Sequence, residues 1–558
     1  MLSPALWRCL VGVCCLGVLS LRFVSGCAET RHQDEPTGET SVASPQAGGV
    51  YRKPLENEPR SLDPVQVTST YAGSVVQQLF DGLVQFDADL NVVPALATSW
   101  SASRDGTTWT FYLRQGVRFH HGREVTVEDV IYSFTRLLDP AVRSPRAWLF
   151  ERVQGARAFM AGQAERVTGL QTPAPYTLQI TLSQPYAPFI TMLGMAQAKI
   201  VPRDEVERLG THFGQAPVGT GPFRFGSWVT GQDIILEANA AYFEGRPLLD
   251  RLHYRIFPAG DHDAIFTAFT NSQLEEAPVP AHERQRLRSD QRYHFLRKPL
   301  LATLFLWMNT DAAPLSDVKV RQAINYAINR PAINSTIRQD RFVQAQGILP
   351  AGMPGHNPDL PSYDYNLGRA KQLLADAGYP EGKGFPGLEL WSSVASPTAQ
   401  AEHEAIQRDL QALGIPLALH TTENWQQFNE LLGKRPGALY RYAWFADFPD
   451  PDNYLFSLFH SRSANNFANY SNPQVDSLLS QAQREIDALK RVQLYRQAEA
   501  LITADAPTVN LVYYTFERLF QPYVKGIEVN ALGERHIPMK KIWLDRAHDA
   551  FPKTVQSP

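Results

Sequence analysis

Two hydrophobic periods interleave along the chain. Trp109, Phe111 and Leu113 alternate with Thr108, Thr110 and Tyr112, and Tyr176, Leu178, Ile180 and Leu182 alternate with Thr177, Gln179, Thr181 and Ser183. A period of two predicts half-buried strands. Between them Val130, Ile131, Phe134, Leu137 and Leu138 form one helical face that stops before Pro140, with Thr126 and Asp129 at capping-box spacing at its start. A second helix is predicted from near Asp317, with Val320, Ala323, Ile324, Ala327 and Ile328 on one side. A third runs from Asn366 through Ala370, Leu373, Leu374 and Ala377, and Gly378 is placed to end it. The pattern is mixed α/β, without internal repeats.

Composition sets the scale. With 44% hydrophobic residues in 558, the chain is long enough for several domains of ordinary size, and at least two lobes are expected. All four cysteines, Cys9, Cys14, Cys15 and Cys27, lie at the N-terminal end, so no disulfide is expected in the body. Residues 1–26 read as an export signal, with Arg8 followed by an apolar run from Leu10 to Leu21 and then small residues. That run is shorter than the roughly 20 residues a spanning helix needs. Loss of the signal removes Arg8 and Arg22 and no acid, which takes the net charge from −3 by two units to −5. Nothing in that balance points to nucleic acid. Residues 27–50 are polar and aperiodic, as a flexible tether would be.

No catalytic spacing is present: the sequence holds no G-x-S-x-G, H-E-x-x-H or G-x-x-x-x-G-K-[ST]. His282-Glu283 lacks a second histidine, and Gly219-Thr220-Gly221 lacks the third glycine of a dinucleotide fingerprint. His120-His121 is read as a turn rather than a metal site, because neighbours in a strand face opposite ways. An enzyme is therefore not expected, and no cofactor or metal is implied.

More specific signals stand in order along the chain. They are Glu58 to Pro64, Leu79-Phe80-Asp81-Gly82-Leu83, Pro94 to Trp100, Thr126 to Val130, Val218 to Phe223, Val318 to Ala323, Ala370 to Tyr379, Asn472-Pro473 and Val524-Lys525-Gly526. Together they resemble the bacterial extracellular solute-binding proteins of the oligopeptide and dipeptide type, from about residue 51 to 544. Val24-Ser25-Gly26-Cys27 resembles a lipobox, which would make Cys27 a lipid anchor. The alternative is an ordinary small-residue cleavage site that leaves a free thiol.

The resemblance implies a two-lobed type II periplasmic-binding-protein clamshell with an extra subdomain. Lobe I would comprise residues 51–80, 202–302 and 513–558, the inserted subdomain 81–201, and lobe II 303–512. It implies a monomeric receptor, anchored at the periplasmic or cell-surface face of a membrane, that hands short peptides to the permease subunits of an ABC transporter. By the same resemblance Asp447, three residues after Trp444, would take the peptide's α-ammonium, and Arg441 its carboxylate. If extended, positions 441 and 447 lie roughly 20 Å apart at about 3.3 Å per residue. Trp444, Phe445, Tyr71 and Tyr513 are candidates to line the cleft. The positions of a cysteine pair found in some relatives hold Ala302 and Phe445 here, and a polar ligand contact, a histidine in some members, falls at about Gln400. Asn271 to Ala277 also departs from the usual pattern. The competing readings are a receptor for another solute (a nickel chelate, haem or an oligosaccharide) and a surface lipoprotein with an adhesive or chaperone-like role.

Overall fold

In the computed structural model, residues 44–258 and 261–545 are described. The signal segment, Cys27 and most of the tether lie outside them. Three sheets organise the body. One has four strands in the order Val50–Leu55, Arg251–Ile256, Asp233–Ala238, Phe223–Val229, its first pair parallel and the others antiparallel. The helix Thr70–Leu79 packs on it through Val75, Val76 and Leu79, and Phe520 and Ile542 close the same core from the far end of the sequence.

The strands predicted by alternation pair with each other in a second, antiparallel sheet: Thr108–Leu113 lies against Thr177–Thr181 with Phe111 opposite Leu178. Leu178 and Ile180 are buried, and Tyr176, with φ 57°, makes the turn instead of extending the strand. The helix Val127–Leu138 covers this sheet. Its capping box forms as predicted, with the Thr126 backbone N–H donating to Asp129 Oδ2 at 2.9 Å. The helix Leu367–Asp376 is capped by Asn366 and ends at Gly378, whose φ of 94° suits a residue without Cβ.

The third sheet has seven strands and builds the site. Its path runs Glu276–Pro278, Thr508–Phe520, His294–Met308, Ala438–Phe445, Leu388–Ser392, Leu417–Thr421, with Val343–Gln344 attached to the second of these. Both faces are covered. Leu304, Leu306, Met308 and Leu439 enter one core, whereas Phe305, Trp307 and Tyr440 enter another, as alternation requires. The two longest strands also pass between cores. Phe516 and Phe520 belong with the first sheet, Val509 and Leu511 with the third, and the pairing shifts register between Pro299 and Thr303.

The two glycines left over from the incomplete fingerprint have a packing role. A Cβ on Gly219 would lie 2.0 Å from the Leu79 carbonyl oxygen, and one on Gly221 2.4 Å from that of Gln78. They let this loop press against the end of the Thr70–Leu79 helix. His120 and His121 lie in the predicted turn, with His120 Nε2 3.1 Å from the Gly221 carbonyl oxygen and His121 Nε2 3.2 Å from Asp204. Among the described residues no helix is long and apolar enough to cross a membrane.

Candidate ligand-binding cleft

The strand Ala438–Phe445 pairs with His294–Met308 along its length, from Leu439 opposite Met308 to Phe445 opposite Ala302. The positions of the relatives' cysteine pair are thus direct neighbours. On its other side the strand pairs with Leu388–Ser392 only as far as Tyr440. From Arg441 to Phe445 that edge has no strand partner among the described residues, so its backbone is available to another extended chain.

Beyond this edge lies Asp447, buried at 8% exposure. Its backbone N–H donates to Asn453 Oδ1 at 2.9 Å, and the Trp444 indole N–H donates to the same oxygen at 3.2 Å. Asn453 thereby fixes the turn from strand to carboxylate. Arg146 Nη1 lies 3.5 Å from Asp447 Oδ2, and Arg535 Nη1 lies 3.6 Å from Oδ1. Both separations exceed ordinary hydrogen-bond length. Two guanidiniums thus flank the carboxylate without hydrogen-bonding it.

Arg535 is itself held in place. Its Nη2 donates to the Ala446 carbonyl at 3.0 Å, and its side chain crosses Gly73, where a Cβ would meet it at 3.3 Å. The preceding residue, Glu534, accepts from Arg518 at 2.6 Å and Lys53 at 3.0 Å. Burial opposes its ionisation, but the charges of Arg518 and Lys53 outweigh burial and hold its carboxyl well below the usual carboxylate range. Burial, with Arg535 and Lys199 close by, pushes the neighbouring His536 imidazole down to about 3, so it stays neutral at physiological pH. The departure at Asn271 to Ala277 joins the same network: buried Glu276 accepts from Lys53 at 2.5 Å and Tyr51 at 2.7 Å, and buried Glu275 binds the Arg52 guanidinium.

Arg441 stands at the other end of the free edge. Its Nε donates to Glu402 at 3.0 Å, and Arg338 Nε donates to the second oxygen at 2.7 Å. Arg441 therefore has an internal partner, yet it also lines a cavity together with Arg284, Arg338, Arg341, Phe342 and Tyr514.

The remaining candidates divide by geometry. Phe445, half exposed, stacks on Tyr514 with ring centroids 5.3 Å apart. Trp444 turns to the opposite face and packs on the core. Tyr513 is 6% exposed, and its hydroxyl donates to the Gly347 carbonyl at 3.0 Å, while by strand alternation its neighbour Tyr514 lines the cavity. Tyr71 is half-buried and packs on the first sheet's core, whereas Ser69, Gly73 and Gln77 line the cleft at Asp447. Gln400 is exposed and bonds Glu404 at 2.9 Å. Arg146, Arg535 and Asn453 were missed. Nothing local in sequence marks the two arginines, although Asn453, six residues after Asp447, sits in a recognisable turn.

The family model of the bacterial extracellular solute-binding proteins, family 5, middle region, matches residues 91–466. The chain is 30% identical over 528 residues to the dipeptide-binding protein of Escherichia coli strain K12, covering 89% of this chain and 96% of that one. It is 29% identical to heme-binding protein A of Haemophilus influenzae, covering 91% and 95%. Among solved structures it is similar to the ABC transporter-associated periplasmic binding protein DppA from Helicobacter pylori in complex with the peptide STSA. The TM-score is 0.75 at 29% identity, over 90% of this chain and 99% of that one.

Proposed function

This chain belongs to the family 5 bacterial extracellular solute-binding proteins, with their type II clamshell fold, and from that premise we propose that it captures short peptides and delivers them to an ABC importer. The observation that carries this reading is the free strand edge from Arg441 to Phe445, with a carboxylate beyond one end and guanidiniums at the other. An extended peptide would add as a further strand through main-chain hydrogen bonds, which gives affinity with little side-chain discrimination. Its ammonium would meet Asp447, whose lone pairs are open. Its carboxylate would meet the arginines around Arg441, whose planar fork suits it. Phe445 and Tyr514 would lie along the ligand, while Trp444 holds the strand end in place.

The same reading makes the register shift between Pro299 and Thr303 a hinge, where the paired long strands pass from one lobe to the other. Cys27 would carry the lipid that tethers the receptor, by way of the polar segment behind it, at an extracytoplasmic membrane face.

Native mass spectrometry of the purified protein, followed by release of whatever it carries, tests the ligand class. A family of short peptides is expected. A single metal chelate, haem or a sugar would overturn the peptide reading.

A further inference from the structure

The cavity at the Arg441 end holds more positive charge than one peptide carboxylate can neutralise. Four arginines line it: Arg284, Arg338, Arg341 and Arg441. Two carboxylates, Glu402 and Glu517, lie beneath them with fully buried side chains. Glu402 is shared by Arg338 and Arg441, while Glu517 takes Arg284 at 2.6 and 2.8 Å, with Arg341 at 3.3 Å and Arg297 at 3.4 Å. Four guanidiniums against two carboxylates leave a surplus of two positive charges, and Arg297 adds a third. No acidic side chain lines the cavity itself.

Two further observations point the same way. Ser396 caps the helix Pro397–Ala412, and Ser396, Thr398 and Ala399 line the cavity, so the positive end of a 16-residue helix faces it. Arg341 is also held loosely, for its buried Nε stands 3.3 Å from Glu517 without forming a hydrogen bond to it. Burial lowers its pKa, Glu517 only partly opposes that, and the neighbouring Arg284 and Arg338 charges add to it. Another anion nearby would relieve both the desolvation and the like-charge repulsion.

We propose that this cavity selects ligands with two carboxylates at that end, and specifically peptides whose C-terminal residue is aspartate or glutamate. The α-carboxylate would answer one surplus charge and the side-chain carboxylate the other. Phe342 and Tyr514, packed edge to face at 4.7 Å, form an apolar wall for the methylenes between them. This proposal rests on the peptide reading above.

Calorimetric titration of the intact receptor with Ala-Ala-Ala-Glu, Ala-Ala-Ala-Gln and Glu-Ala-Ala-Ala tests it. Glu and Gln differ in charge at nearly constant shape, and the third peptide moves the acid to the other end. The expected result is at least tenfold tighter binding of Ala-Ala-Ala-Glu than of either other peptide. Arg341→Gln should shrink the Glu-to-Gln ratio at least threefold. Equal affinity for the Glu- and Gln-terminated peptides overturns the proposal and leaves peptide binding intact. Binding of none of the three removes the peptide reading, and this proposal with it.

Discussion

Replacing Asp447 by Asn removes a charge at nearly constant shape and so isolates the role assigned to it. The carboxylate is 8% exposed, and the nearest cations, Arg146 and Arg535, stand 3.5 and 3.6 Å away without hydrogen-bonding it. A ligand ammonium would therefore make the first full hydrogen bond to those oxygens, and bonds to charged groups contribute about 1.5–3 kcal/mol. Both guanidiniums would also repel that ammonium, which favours the lower part of the range. A loss of about 1.5–2 kcal/mol is expected, roughly ten- to thirtyfold in Kd. The assay is calorimetric titration of wild type and Asp447→Asn with one tetrapeptide and its N-acetylated form. In wild type the free amine should bind better by that factor, and in the variant the advantage should vanish, a double-mutant cycle on one contact. An amine preference that survives unchanged in Asp447→Asn would refute this placement of the ammonium.

Other consequences are open to measurement. Glu402→Gln would strand Arg338 and Arg441 in a buried site, and breaking a buried ion pair from one side costs about 3–5 kcal/mol; urea unfolding should show that loss, and a shift below 1 kcal/mol would count against it. Burial pushes the Glu499 carboxyl up to about 7 from 4.5, so the native state keeps a proton that the unfolded chain has released. Stability should then fall as pH rises from about 4.5 to 7, by about 3 kcal/mol in all, and Glu499→Gln should remove that fall from the Tm profile. Cys27→Ala should release a soluble receptor that still binds peptide, read by membrane fractionation followed by titration; release with loss of binding would contradict the separation of anchor from cleft.

What could be read from sequence follows the range of the forces involved. The Thr126 capping box, the Asn366 to Gly378 helix and the turn at His120-His121 depend on residues a few positions apart, and the structure has all three. Asp447 and Arg441 could be picked out by resemblance. Their partners could not, because Arg146, Arg535, Arg338 and Glu402 reach them through packing of segments distant in sequence. Tyr513 is a different case: once Thr508–Phe520 is known to be a strand with Tyr514 on the cavity side, simple alternation sends its neighbour inward. The same alternation separates Trp444 from Phe445. Here the rule was at hand, and only the identity of the outward face was missing.

The unpaired edge from Arg441 to Phe445 has another side to it. An unpaired strand edge bearing a half-exposed phenylalanine is the kind of surface along which sheets join chain to chain. If that edge takes up an extended ligand, as proposed, it cannot be shielded permanently with a bulge, a proline or a covering loop. A resident peptide would then be the covering, so the cargo would act in transit as a chaperone for its carrier, and occupancy would help set how much receptor stays monomeric.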